Sequence, residues 1–346
     1  MQESALQQEI MEQPAAIQRL IDAEKATILP LAAQIKDKFK YVLIAARGTS
    51  DNAARYAQYL FQIVNHIPVG LSTPSVFSMY RKPPNLDGAL VLAISQSGQS
   101  PDIISVLAEA RRQGRPTIAV TNDTASPLAQ TADAVIDLCA GPERAVAATK
   151  TYTNSLTAMA LLSYGLCSDA NMLTAIQKLP AWVERTLTLT LPLVGRMERY
   201  RFMTHGEVIG RGYNYCTAFE IALKIKELTG VTTEPYSSAD FLHGPIATLK
   251  VGYPVLAIAH QGVMFADMLE LIQKAKSLGA ELVLISDDRQ VCDLANLALP
   301  IPEGVPEWLS PIVNVLPGQI MGWQMALSRG LNPDAPKGLS KVTETL

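Results

Sequence analysis

The feature that most constrains this chain is an alternation of short apolar runs with helical patterns, carried out twice. Apolar runs fall at 41–46, 67–71, 89–95, 116–121 and 133–138, with helical stretches between them. Short apolar runs in alternation with helices are what a parallel sheet covered on both faces requires. A second alternating series begins near Arg201 and matches the first in detail. Ala46-Arg47-Gly48 matches Gly210-Arg211-Gly212, and Val91-Leu92-Ala93-Ile94 matches Val255-Leu256-Ala257-Ile258. Gly98 aligns with Gly262, Gly114 with Gly279, and Thr121-Asn122-Asp123 with Ser286-Asp287-Asp288. Spacing this constant points to duplication of one doubly wound α/β domain.

Two longer helical patterns, 149–168 and 171–194, lie between the series without a strand and make a natural boundary. The expected division is a helical segment over 1–40, a first domain over 41–195 with linker helices, a second over 196–331, and an irregular tail over 332–346. Each domain is expected to be a three-layer αβα sandwich around a parallel sheet. Apolar positions Ile10, Ile17, Leu20, Ile21 and Ile28 predict one or two N-terminal helices, broken near Pro14 and Pro30.

Composition narrows the function classes. Lys and Arg number 29 against 32 Asp and Glu, a net charge of −3, with no basic run. That balance argues against nucleic acid as a partner. No apolar stretch approaches the roughly 20 residues that cross a bilayer, and Met1-Gln2-Glu3-Ser4 opens no signal-peptide core. A cytoplasmic protein is expected. Cys139, Cys167, Cys216 and Cys292 are scattered, with no CxxC pair, and the histidines show no metal-ligand spacing. No metal or other cofactor is expected. His66, His205 and His260 read as ordinary core or loop residues.

Ser95-Gln96-Ser97-Gly98-Gln99-Ser100-Pro101-Asp102 follows an apolar run and precedes a helical pattern. Short polar side chains (Ser95, Gln96, Ser97, Ser100) and the free N–H groups of a helix start would converge there, which suits an anion. The turn has neither the lysine of a nucleotide P-loop nor the three glycines of a dinucleotide turn, so a small phosphate monoester fits it. The competing reading is a serine-rich helix cap. Thr49 and Ser50, after Gly48, form a second hydroxyl cluster at the first strand-to-helix turn, with N-capping as the alternative. In the second copy His260, Val263, Met264 and Phe265 replace the small donors, so that loop is expected to have lost the phosphate site.

Glu220, Lys224 and Glu227 share one face of a predicted helix over 213–228. They read either as an exposed ion ladder or as a carboxylate base beside an ammonium that stabilises an enolate. His243, in Phe241-Leu242-His243-Gly244-Pro245, lies at a loop edge and suits proton transfer near neutral pH. In the tail, Leu339 and Val342 are candidate anchors that would deliver Lys341 to a site; the alternative is a frayed end.

These motifs resemble those of the sugar isomerase (SIS) domain family, and most of all the isomerase half of glucosamine-6-phosphate synthase. The resemblance runs from about Tyr41 to Leu346. It rests on Gly48-Thr49-Ser50, Ser95-Gln96-Ser97-Gly98, Val146-Ala147-Ala148-Thr149-Lys150, Glu220 to Glu227, Leu242-His243-Gly244-Pro245 and Leu339-Ser340-Lys341. It implies two tandem SIS domains and a phosphosugar substrate. Gly48, Thr49, Ser50, Ser95, Gln96, Ser97 and Ser100 would bind the substrate and its phosphate, with Val146 and Glu220 also in the pocket. Glu227 would shuttle a proton between the first and second sugar carbons, supported by Lys224. His243 would assist ring opening from a neighbouring subunit of a homodimer, and Lys341 would form an imine with the open-chain ketose.

Arg47 and Ala148 depart from the synthase pattern, and only a short helical segment precedes the first sheet. A glutaminase domain is therefore not expected. The expected reaction is D-glucosamine 6-phosphate plus water giving D-fructose 6-phosphate and ammonia. Alternatives are a galactosamine-6-phosphate deaminase, a fructosamine-phosphate deglycase, another phosphosugar isomerase, or a non-catalytic phosphosugar sensor.

Overall fold

The computed structural model describes residues 4–341; Val342, the second tail anchor expected from the sequence, lies outside them. The chain forms two five-stranded sheets, both parallel throughout. The first contains β1 (Tyr41–Ala45), β2 (Val69–Leu71), β3 (Ala89–Ile94), β4 (Thr117–Thr121) and β5 (Ala134–Asp137), in the order β2-β1-β3-β4-β5. The second contains β6 (His205–Ile209), β7 (Thr232–Tyr236), β8 (Pro254–Ala259), β9 (Glu281–Ser286) and β10 (Leu297–Pro300), in the order β7-β6-β8-β9-β10. The two orders are the same, so the internal repeat extends to topology.

The described chain divides into two compact units. The first unit, around β1–β5, contains Ala15–Glu143 and Lys150–Gln177, together with Ser340 and Lys341. The second unit, around β6–β10, contains Arg144–Thr149 and Lys178–Leu339 and takes in the short helix Ala5–Met11. Every residue of β3 and β4 is buried, as is all but the first of β8 and β9. Burial of both faces is why these strands read as apolar runs with no alternation. Against them, Ile103, Val106, Leu107 and Ala110 line one face of the helix Pro101–Arg112. Met268, Leu271, Ile272 and Ala275 do the same for Phe265–Ser277. The larger of these side chains each contribute about 1.5–3 kcal/mol by leaving water.

One expectation fails at the N-terminus. The chain breaks at Glu12, between Ala5–Met11 and Gln13–Ile35, but Pro30 lies inside the second helix and does not end it. Pro30 is exposed while Ile28, Ala32 and Ile35 are buried on the opposite stripe. Ala26, whose carbonyl loses its partner to the missing N–H, is an exposed residue, and the buried stripe holds the helix together across the gap.

A buried helix closes each unit. Lys150–Cys167 packs on Thr49–Asn65 in the first, and Ser310–Ser328 on Tyr215–Thr229 in the second. Gly318 permits the latter approach, because a Cβ there would overlap Ile221. Among the described residues no helix is long and apolar enough to cross a membrane.

Candidate active site

In the first unit β1 and β3 are neighbours, with Ala45 level with Ala93, and the chain leaves them in diverging directions. Such a switch point opens a crevice beyond the strand ends. Two turns flank it. After β1, Gly48 takes φ +54° and Thr49 begins the helix Thr49–Asn65 with no side-chain cap. After β3, Ser95 Oγ accepts from Gly98 N–H at 3.2 Å and Ser97 Oγ from Gln99 N–H at 3.3 Å. Gly98 sits at φ +61°, and a Cβ there would overlap Ser126. Ser100 is the N-cap of Pro101–Arg112, yet its hydroxyl makes no cap hydrogen bond. The capping explanation therefore leaves the Ser100 hydroxyl unused. Gln96 is half-buried, and its carbonyl ties the turn to Asn122 N–H at 3.1 Å. The structure thus gathers Gly48, Thr49, Ser50, Ser95, Gln96, Ser97 and Ser100 at one edge of one sheet.

Arg47 joins the two turns. Its Nε lies 2.9 Å from Oδ2 of Asp102, which is fully buried in the first turn of Pro101–Arg112. The second unit has the counterpart, Arg211 Nη1 to Asp267 Oδ1 at 3.0 Å. An ion pair placed at the same point of both copies is a strut across the switch point. The repeat had aligned Arg47 with Arg211, and only the fold shows what they hold.

Lys341 also belongs to the first unit. Its Nζ meets Oε2 of Glu143 at 2.7 Å, and the Glu143 side chain is completely buried. Thr151, in the first turn of Lys150–Cys167, donates to the same carboxylate from N–H at 3.1 Å and from Oγ1 at 2.8 Å. Glu143 went unrecognised in the sequence, because nothing local marks a carboxylate whose partner is 198 residues away.

In the second unit, Glu220, Lys224 and Glu227 line one face of Tyr215–Thr229, but not as an exposed ladder. The side chains of Lys224 and Glu220 are 1% and 0% exposed, and that of Glu227 is 23% exposed. Lys224 Nζ lies 2.5 Å from Glu227 Oε2 and 3.5 Å from Glu220 Oε1. The Glu227 contact is a close ion pair, one carboxylate oxygen meeting the ammonium. Glu227 lines a cavity of about 620 Å³ with Lys226, Thr229, Asn332, Lys337 and Leu339 among its walls. A buried ammonium behind a carboxylate at a cavity wall can move a proton and stabilise the charge that the move creates.

Val146 sits in the strip Arg144–Thr149, and its N–H donates to Asp334 O at 3.2 Å. The Asp334 carboxylate in turn accepts from Ala5 and Leu6 N–H at 2.9 and 2.8 Å. Glu9 accepts from Arg144 N–H and, at 3.3 Å, from Ala145 N–H. The first helix is thus a clamp on this strip. His243 is exposed at the end of Ser238–Leu242. It follows the carboxyl end of β7, whereas Glu227 precedes the amino end of β7, near the far end of its helix. A strand rises about 3.3 Å per residue, so the five residues of β7 lie between the levels of the two.

The SIS domain model matches residues 37–163 and 207–329. Over 339 residues the chain is 34% identical to the glutamine–fructose-6-phosphate aminotransferase (isomerizing) of Pyrococcus horikoshii, covering 96% of this chain and 56% of that protein. The chain therefore spans about half the length of the curated relatives it matches. Among solved structures, the C-terminal domain of a glucosamine-fructose-6-phosphate aminotransferase from Francisella tularensis superposes with a TM-score of 0.89. The two are 28% identical, over 97% of this chain and 99% of that one. A candidate phosphosugar isomerase from Silicibacter pomeroyi superposes with a TM-score of 0.87 at 32% identity, covering 96% of this chain and 100% of that one. With both of its sheets matched, this chain belongs to the SIS domain family.

Proposed function

We propose that this protein is a phosphosugar aldose–ketose isomerase whose substrate is an amino-sugar phosphate, and that it converts D-glucosamine 6-phosphate and water to D-fructose 6-phosphate and ammonia. The observation that carries the reading is the Lys224–Glu227 pair, with a base at a cavity wall and a buried ammonium behind it. The relatives bearing the name glutamine–fructose-6-phosphate aminotransferase handle an amino group and a fructose phosphate, which supports an amino-sugar phosphate here.

The hydroxyl turns Gly48–Ser50 and Ser95–Ser100 hold the phosphate. After ring opening, Glu227 takes the proton from the second carbon and returns it to the first. Lys224 stabilises the intermediate enolamine, since an ammonium beside developing negative charge lowers its energy. The product is an imine at the second carbon. Water adds there, the carbon–nitrogen bond breaks, and ammonia leaves. Lys341 is the amine for a covalent imine with the ketose. The place of His243, beyond the opposite end of β7 from Glu227, supports its action from the partner of a homodimer. Four scattered cysteines without a CxxC pair suit a reducing, cytoplasmic setting.

A second reading is isomerisation without loss of ammonia. The full-length match to the Silicibacter pomeroyi protein favours it. An ammonia-release assay over glucosamine 6-phosphate, galactosamine 6-phosphate and fructosamine phosphates separates the readings. Release from glucosamine 6-phosphate is expected, together with a fall of about 10²–10⁴ in kcat for Glu227→Gln. Full turnover by Glu227→Gln would sink the assignment of the base.

A further inference from the structure

The turn between β8 and the helix Phe265–Ser277 already holds an anion, and the anion is the chain's own. Both carboxylate oxygens of Glu307 accept main-chain hydrogen bonds there, Oε2 from Val263 N–H at 3.0 Å and Oε1 from Met264 N–H at 3.3 Å. Glu307 opens the short 3₁₀ turn Glu307–Leu309, which leads into Ser310–Ser328. Gly262 lies so close that a Cβ there would overlap the Glu307 carboxyl group. The two donors immediately precede a helix of 13 residues, whose dipole adds to the attraction for negative charge. Burial together with the Glu307 charge pushes the Tyr213 hydroxyl up to about 12.

The repeat says where this turn stands. Gly262 is the counterpart of Gly98, so Val263 and Met264 correspond to Gln99 and Ser100. β8 and β3 occupy the same place in their sheets, each beside the strand that opens its unit. In the first unit the turn's N–H groups point to small hydroxyls, from Gly98 to Ser95 and from Gln99 to Ser97. In the second unit the hydroxyls have gone, and a carboxylate enters from elsewhere in the chain.

The geometry points to Gly262–Met264 as a second anion cradle of the same design as Ser95–Ser100, closed in the native chain by Glu307 and able to take a phosphate monoester once that carboxylate is removed. A carboxylate on two successive N–H groups at a helix start presents the charge and spacing of two oxygens of a phosphate. The second unit is on this account a self-liganded copy, and the native chain takes up one phosphosugar rather than two. It also gives the loss of small donors from the second loop a physical reason, since a turn that carries its own anion has no use for them.

The test is titration calorimetry of wild type and Glu307→Ala with two probes, inorganic phosphate and glucosamine 6-phosphate. The variant is expected to bind one more equivalent of phosphate per chain than wild type. A crystal of the phosphate-soaked variant is expected to show the anion on Val263 and Met264 N–H. Glu307→Gln is the companion variant. It keeps the side-chain volume but leaves one N–H facing an amide nitrogen, and a weaker second site is expected. An unchanged stoichiometry in a variant whose unfolding and elution show it folded would overturn the inference. Two equivalents on wild type would overturn the closure. Ser97→Ala separates this inference from the function proposed above. If wild type binds neither probe, the first-loop reading fails, while phosphate uptake by Glu307→Ala still decides the second cradle.

Discussion

Lys341 Nζ stands 2.7 Å from Glu143 Oε2, and the Glu143 carboxylate is completely buried at the start of the helix Lys150–Cys167. The last described residue of the tail is thereby tied to a fixed anion, itself anchored by Thr151. Charge-assisted hydrogen bonds of this kind contribute about 1.5–3 kcal/mol. Glu143→Gln keeps the shape and removes the charge. A loss of at least about tenfold in kcat/KM is expected, since each 1.36 kcal/mol in the barrier is a factor of ten. Separate kcat and KM values check it, and borohydride trapping followed by peptide mapping of both proteins shows whether Lys341 forms an adduct in either. Wild-type kinetics in Glu143→Gln would mean the contact positions nothing.

Lys224 is the cation of a buried triplet, and removing it leaves carboxylates behind. Breaking a buried ion pair from one side costs about 3–5 kcal/mol, because the remaining charge loses its counter-charge without regaining water. Lys224→Met is expected to lower the unfolding temperature. Adding Glu220→Gln to that variant is expected to restore part of the loss. Thermal unfolding of both variants reads the effect, and the absence of any recovery would show that Glu220 does not depend on Lys224.

Gly98→Ala forces a side chain into left-handed backbone and onto Ser126. The backbone alone costs about 1–2 kcal/mol. Ser126 cannot simply move, because its Oγ accepts from Ala129 N–H at 3.3 Å as the cap of Pro127–Thr131. A lower unfolding temperature and a raised KM for phosphosugar are expected together, with Ser126→Gly in the same chain relieving the overlap but not the backbone term.

Glu207 supplies a pH dependence. Burial raises its pKa above the ordinary 4.5; nearby Glu234 adds to this, and the hydrogen bond from the Tyr253 hydroxyl opposes it. A carboxyl group that holds its proton more tightly folded than unfolded stabilises the fold most below 4.5. That contribution is lost as pH rises from there through the folded value. Glu207→Gln is expected to remove this slope and raise the unfolding temperature at pH 7 relative to wild type. Equal temperatures for the two proteins across pH 4–8 would count against it.

Much of the candidate site's local arrangement was legible because it is local. Ser95, Ser97 and Ser100 sit within one turn, and the punctuation of strand, hydroxyls, Pro101 and helix marks that turn without any long-range information. Glu220, Lys224 and Glu227 share a face by helical spacing alone. Their burial was not legible, since it depends on Ser310–Ser328 closing over the helix. Pro30 misled for a related reason: the rule against proline in helices is local, and the buried stripe that overrides it is tertiary.

The sequence by itself determined the two parallel sheets, their duplication, and which turns carry hydroxyls, because apolar runs, periodicity and turn residues act over a few residues. Only the tertiary structure decided which charges meet. Glu143 with Lys341, Arg47 with Asp102, and Glu307 with Val263 and Met264 all join residues far apart in the chain. Such pairs follow from strand order and crossover direction, which place side chains together that no local pattern connects.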